Sequence, residues 1–177
     1  MRERNKARVA TVWLDGCSGC HMSIFDMDDR LLELKDRIEL VYSPLVDAKD
    51  YPKDVDVALV EGCIGNEEQR KFAHTMRAST KTFVSLGDCA VTSNIVAYRN
   101  PFKMHDVIHR AFIENSEGEI VLPQEDVPPL LPFAVPIHEI IDVDVYIPGC
   151  PPSADLIHYT LVELLEGRHP DIKNRFG

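Results

Sequence analysis

The chain has 177 residues, enough to bury one sizeable core, and its hydrophobic (45%) and charged (27%) fractions are ordinary for a globular protein. A formal net charge of −10 gives nucleic acid little electrostatic encouragement, and no apolar run is long enough to span a bilayer. Five cysteines, an odd number, argue against a plain disulfide scaffold and for a reducing, cytoplasmic setting, and Met1 to Arg8 is too polar to open a signal peptide.

Residues 1–8 read as a charged, loose tail, and residues 9–167 as a single domain. Val9 to Leu14 is a short apolar run that predicts a buried strand. It breaks into a loop, Asp15-Gly16-Cys17-Ser18-Gly19-Cys20-His21, where two glycines let the backbone fold tightly around two thiols three positions apart. Ile24, Phe25, Met27, Leu31, Leu32 and Leu34 recur near helical spacing, which predicts one helix over Met22 to Leu34. Ile38 to Tyr42 is a second strand, followed by a loop holding Pro44 and Pro52. Val55 to Val60 is a third, ending at Glu61-Gly62-Cys63. Asn66 is placed to cap a helix running to about Ser79, with Glu67 and Glu68 where the helix dipole favours acids.

Thr82 to Leu86 predicts a fourth strand, which leads to Cys89. Helices are expected around Ser93 to Tyr98 and Asp106 to Ile113, with Pro101 between them. From 114 to 142 prolines 123, 128, 129, 132 and 136 punctuate apolar residues such as Leu130, Leu131, Phe133 and Val135. A connection this long suits either a segment lying along another subunit or a surface loop packing on its own domain. Val143 to Ile147 is the last strand, Cys150 follows it, and Ser153 caps a helix to about Glu166. Residues 168–177, with Arg168, Lys173 and Arg175, read as a solvated or docking tail.

Alternating strands and helices point to an open, mostly parallel α/β sheet with helices on both faces, a flavodoxin-like fold. In such sheets the working site lies beyond the carboxyl ends of the strands, at the point where their order reverses. Cys17, Cys63, Cys89 and Cys150 all directly follow strands, so topology alone would gather them along one edge.

Three chemistries suit these thiols. A structural zinc site usually takes its ligands as two close pairs, whereas here a single pair is joined by singletons from separate loops. A thioredoxin-like dithiol needs Cys17 and Cys20 alone. A cubane iron–sulfur cluster takes four thiolates and is often held by loops in which proline follows a cysteine, as in Cys150-Pro151-Pro152. The residues favour iron–sulfur without excluding the other two.

Taken in order, Cys-x-x-Cys after a Trp13-Leu14 strand end, Glu61-Gly62, Gly87-Asp88-Cys89-Ala90 and Pro148-Gly149-Cys150-Pro151-Pro152 resemble the small subunit of nickel–iron hydrogenases and the related 20 kDa subunit of complex I. The likeness runs from residue 12 to residue 152. It implies a [4Fe-4S] cluster held by Cys17, Cys20, Cys89 and Cys150, next to a nickel–iron centre on a separate large subunit. This chain shows neither a twin-arginine signal nor a further cluster domain, and it ends soon after its last helix. Those features, with Cys17-Ser18-Gly19-Cys20-His21-Met22-Ser23, resemble cytoplasmic NAD-reducing members, whose partners are the large subunit and a diaphorase carrying flavin and more clusters. Complex I subunits typically have adjacent cysteines in the first motif, where Ser18 and Gly19 intervene here. Many relatives also have paired glycines where this chain has Ser93-Asn94.

Glu61 and Cys63 are expected as cluster neighbours or alternative ligands, and Glu61 equally as a proton relay or an anchor for the neighbouring loop. Asp15, Glu61 and Asp88 predict a low cluster potential if they are ionised and close. FMN is a weaker second candidate, because flavodoxin-like folds seat its phosphate in the loop that here carries Cys17 and Cys20. His21 has the option of donating to cluster sulfur, while His105 and His109 read as surface residues.

Overall fold

The protein is described by a computed structural model that covers residues 6–117, 122 and 126–173. The apolar, β-branched runs form the strands, and the segments with apolar residues on one side form the helices. In chain order these are β1 (Ala7–Trp13), α1 (Gly19–Phe25), α2 (Asp29–Leu34), β2 (Ile38–Tyr42), β3 (Val55–Glu61), β4 (Ile64–Asn66), α3 (Glu67–Ser79) and β5 (Thr80–Leu86). Then follow α4 (Asp88–Thr92), a 3-10 turn (Asn94–Arg99), α5 (Met104–His109), a π turn (Arg110–Glu114), β6 (Leu130–Val135), β7 (Val145–Ile147) and α6 (Ala154–Leu165).

Five strands pair in parallel in the order β2-β1-β3-β5-β7. With β4 and β6 left out of the count, this is the flavodoxin-like order, with its switch point between β1 and β3. The connection from β1 to β2 runs one way along the sheet, while those from β3 to β5 and from β5 to β7 run the other way. Right-handed crossovers in opposite directions must cover opposite faces. Accordingly α3 buries Ala73 and Met76 against Ala10, Val12, Val60 and Phe83 on one face. On the other, α1, α2 and α6 bury Ile24, Leu34, Ile157 and Leu161 against Val9, Val57, Leu59 and Val84. Strand β3 sits in the middle and is buried almost throughout.

Several expected elements differ in the structure. The helix expected over Met22 to Leu34 is two, broken at Asp26–Asp28, with Asp28 at φ +49. Aspartates compete for nearby backbone donors and tolerate left-handed conformations, which favours a turn there. Asp88–Thr92 forms a short helix not foreseen from the sequence, and the expected helix after Ser93 is a 3-10 turn. Ala7 and Arg8 already belong to β1.

Of the proline-rich stretch, β6 pairs antiparallel with β4, Ile64 opposite Val135, and Leu131, Ala134, Ile137 and Ile141 join the core. That part packs on its own domain, while Leu130 and Phe133 point outward. Residues 118–121 and 123–125 of the stretch lie outside the described residues, as do 1–5 and 174–177. Among the described residues no helix is long and apolar enough to cross a membrane.

Candidate metal centre

Strands β1, β3, β5 and β7 all end on the same edge, and backbone bonds lace the four loops that follow them. Leu14 N donates to Glu61 O (2.9 Å), while Asp15 and Cys63 exchange two bonds across an isolated antiparallel bridge (3.1 and 2.8 Å). The two loops approach so closely that a Cβ on Gly62, at φ +86, would lie 2.8 Å from Asp15 N. On the far side Gly87 N donates to Ile147 O (2.7 Å), Asp88 N to Gly149 O (2.9 Å), and Gly149 N to Asp88 Oδ1 (2.7 Å). Ser23 Oγ on α1 donates to Pro152 O (2.5 Å), which ties the first loop to the last.

Between these loops lies a cavity of about 100 Å3 lined by Cys17, Cys20, Cys89 and Cys150, with Glu61 and Asp88 in its wall. All four thiols are free; Cys17 and Cys150 are exposed, Cys20 is half-buried and Cys89 buried. Gly87 (φ +83) must lack a side chain, since a Cβ there would collide with Cys20 Sγ. Burial pushes the Cys20 thiol well above its ordinary range, helped by the Glu61 carboxylate and then by the other three sulfurs. Burial likewise raises Cys89, with Cys17 and Cys150 adding to it. Two of the pocket's sulfurs, those of Cys20 and Cys89, thus resist ionising, and a positively charged group between the four would favour their thiolates. Among the described residues, no three His, Cys, Asp or Glu side chains stand close enough to hold a single ion. The sulfurs surround a cavity instead of meeting at a point, a donor set and a space that fit a polynuclear iron–sulfur group.

The other singled-out residues separate clearly. Glu61 is 2% exposed, and its Oε2 accepts from His21 N (2.6 Å) and faces His21 Nδ1 (2.8 Å), so it anchors the Cys20 loop. His21 engages Glu61 through Nδ1, and its buried Nε2 has no partner among the described residues. Cys63 is fully buried and does not line the cavity; its thiol is pushed up to about 12 by burial, then by Asp15 and Cys89. Of the three acids near the motifs, Glu61 and Asp88 face the cavity, whereas Asp15 packs against Gly65. Asp15 has its carboxyl raised by burial, against the pull of Arg99. His105 and His109 stack on each other at the surface.

Asn94 was missed from the sequence, and its Nδ2 donates to Cys150 Sγ at 3.3 Å. The signal available was a polar pair, Ser93-Asn94, a few residues after Cys89. A larger cavity of about 560 Å3, lined by Trp13, Tyr42, Phe72, Lys49 and Lys71 among others, has no cysteine in its wall.

A doubly wound parallel sheet with four thiols gathered beyond its carboxyl ends defines a flavodoxin-like domain built around a thiolate pocket. Residues 17–164 match the family described as NADH ubiquinone oxidoreductase, 20 Kd subunit, and the chain belongs to that family. Among curated relatives it is 40% identical over 174 residues to one of the subunits of the F420-non-reducing hydrogenase of Methanothermobacter marburgensis, covering 94% of this chain and 56% of that protein. It is 36% identical over 172 residues to the NAD-reducing hydrogenase HoxS subunit delta of Cupriavidus necator, covering 94% and 82%. A solved NAD+-reducing [NiFe]-hydrogenase chain in the H2-reduced state superposes with a TM-score of 0.92 at 37% identity, covering 96% of this chain and 97% of that one. The chain thus spans a little over half the length of several curated relatives.

Proposed function

We propose that this chain is the electron-transfer small subunit of a nickel–iron hydrogenase of the NAD-reducing kind, with Cys17, Cys20, Cys89 and Cys150 holding one [4Fe-4S] cluster. The observation that carries the proposal is the convergence of four thiols, two from the loops after β1 and β7 and two from the first turns of α1 and α4, on one small cavity. A cluster bound there supplies one-electron transfer between a nickel–iron centre on a large subunit and a flavin-carrying diaphorase. The chain's own residues position and shield the ligands. Glu61 and Ser23 fix the ends of the α1 loop, while the Asp88–Gly149 exchange fixes Cys89 beside Cys150. The exposed Cys17 and Cys150 mark the side open to a partner. Leu130 and Phe133 on β6 offer apolar surface for docking. A cytoplasmic setting, where thiols stay reduced, suits free cysteines. The loop after β1 faces the cysteine cavity, so FMN has no part in this reading of the chain.

Anaerobic purification tests this directly. Iron and labile sulfide near four each per chain, with a large subunit and diaphorase copurifying by mass spectrometry, support it. One stoichiometric zinc in a colourless protein sinks it in favour of a zinc-stapled interaction module. The 40% identity to a relative from an F420-non-reducing hydrogenase favours a second reading, in which another electron carrier replaces NAD. Hydrogen-dependent reduction of NAD by the purified complex decides between the two.

A further inference from the structure

Ser93 and Asn94 carry the chain from α4 into the following 3-10 turn in left-handed conformations, φ +63 and φ +32. Glycine adopts such angles without the steric cost that a Cβ brings. At Asn94 this strain comes with a side chain glycine lacks, and that side chain is directed at the thiolate pocket. Its Nδ2 donates to Cys150 Sγ (3.3 Å). That sulfur follows β7 and lies 56 residues further along the chain, so the contact joins the turn after α4 to the last cysteine loop. Ionised sulfurs accept only, which fixes the amide with its nitrogen and not its oxygen toward them.

We propose that Asn94 is a positioning residue that raises the reduction potential of the centre by donating to the Cys150 sulfur, a role that rests on the iron–sulfur reading of the site. Reduction adds one negative charge to the centre, and a donor aimed at its sulfurs stabilises the reduced form more than the oxidised one. Glu61 and Asp88 in the cavity wall act in the opposite sense. Asn94 therefore offsets carboxylates that the fold needs for other reasons, since both are tied up holding loops.

The test uses the full chain isolated anaerobically, with iron and labile sulfide counted, and titrated with low-potential viologen dyes while the reduced signal is followed by EPR. Asn94→Gly keeps the left-handed backbone and removes the donor; Asn94→Asp keeps the shape and substitutes an acceptor. At the potential where the parent chain is half reduced, the reduced-to-oxidised ratio is expected to fall at least threefold in Asn94→Gly, and further in Asn94→Asp. A tenfold fall corresponds to about 59 mV for one electron. Full iron and sulfide in Asn94→Gly with an unchanged midpoint overturns the inference, and so does loss of the cluster from Asn94→Gly, which would make the role structural. A parent chain without iron and sulfide instead overturns the iron–sulfur reading itself.

Discussion

Glu61 and His21 form a doubled contact: one carboxylate oxygen of Glu61 meets both the backbone nitrogen (2.6 Å) and the ring Nδ1 (2.8 Å) of His21. Both residues are buried, at 2% and 6% exposure. A carboxylate in that position is tolerated only because it is hydrogen-bonded on arrival. The contact joins the end of β3 to the first turn of α1, one residue beyond Cys20. The orientation of a pocket thiol, Cys20, therefore depends on a side chain other than the four cysteines.

Replacing Glu61 should reveal that dependence. Glu61→Ala leaves a buried backbone N–H and a ring nitrogen unpaired, and hydrogen bonds to charged groups contribute about 1.5–3 kcal/mol. A loss of about that size is expected in urea unfolding, together with lower iron content per chain. Glu61→Gln keeps one acceptor for the His21 N–H and should lose roughly half as much. Equal iron content and stability in parent and Glu61→Ala would mean that the contact positions nothing.

Gly87 makes a sharper case, because its requirement is steric. Its φ of +83 and ψ of 163 fall in a region that is essentially reserved for glycine, at a cost of about 1–3 kcal/mol for other residues. A methyl group there would also push on Cys20 Sγ. Gly87→Ala should lose most of its iron and sulfide, measured colorimetrically against protein. Gly167→Ala is the control: it also has positive φ (+71), but nothing lies within 4 Å of the added methyl. It should lose about 1–2 kcal/mol of stability and keep its metal.

Arg99 fastens the small hairpin to the rest of the domain. Its guanidinium donates to Leu131 O (2.9 Å) and Gly65 O (3.0 Å), one carbonyl from each side of the β4–β6 pairing. Lysine carries the charge on a single point and cannot span both acceptors. Arg99→Lys should cost about 1–3 kcal/mol. Hydrogen exchange at the β4 and β6 amides should speed up more than exchange in β3. Uniform exchange changes across the sheet would show that the arginine does not act locally.

The parallel sheet was legible because each of its strands is a separate apolar run, and the gathering of Cys17, Cys89 and Cys150 followed from their places after strands. What escaped the sequence depends on pairings across distance. Strand β4 is three residues long, Ile64-Gly65-Asn66, and its partner β6 contains a proline, so neither carries an alternating pattern. The break at Asp26–Asp28 was hidden by apolar residues that keep helical spacing through it. Glu61 reaches His21 across 40 residues, and Asn94 reaches Cys150 across 56. Such contacts are fixed by loop geometry, which periodicity does not encode. Cys63 shows the converse: following a strand brought it to the right edge, but it turned inward and stayed out of the pocket.

That inward turn has a consequence at alkaline pH. Burial holds the folded Cys63 thiol up to about 12, while a thiol in the unfolded chain ionises near 8.5. Between those values the unfolded chain has released a proton that the folded one retains, so stability falls as pH rises. Below about pH 8 both states are protonated and the contribution of burying the neutral thiol is fully present. Tyr51 behaves alike at higher pH, its hydroxyl being raised to about 12 by burial. Urea midpoints of the metal-free chain should therefore drop from pH 8 through pH 11. Cys63→Ala should remove its own part of the drop that begins near pH 9 and leave the shares of Cys20, Cys89 and the tyrosine, so the slope becomes shallower there. It should also leave the iron content of the metal-loaded chain unchanged, because Cys63 does not line the pocket. In the folded parent Cys63 should resist alkylation by iodoacetamide at pH 8, where the exposed Cys17 and Cys150 of the metal-free chain react. Rapid modification of Cys63 in the folded chain, or an unaltered pH slope in Cys63→Ala, would show that the thiol is neither sealed nor held neutral by the fold.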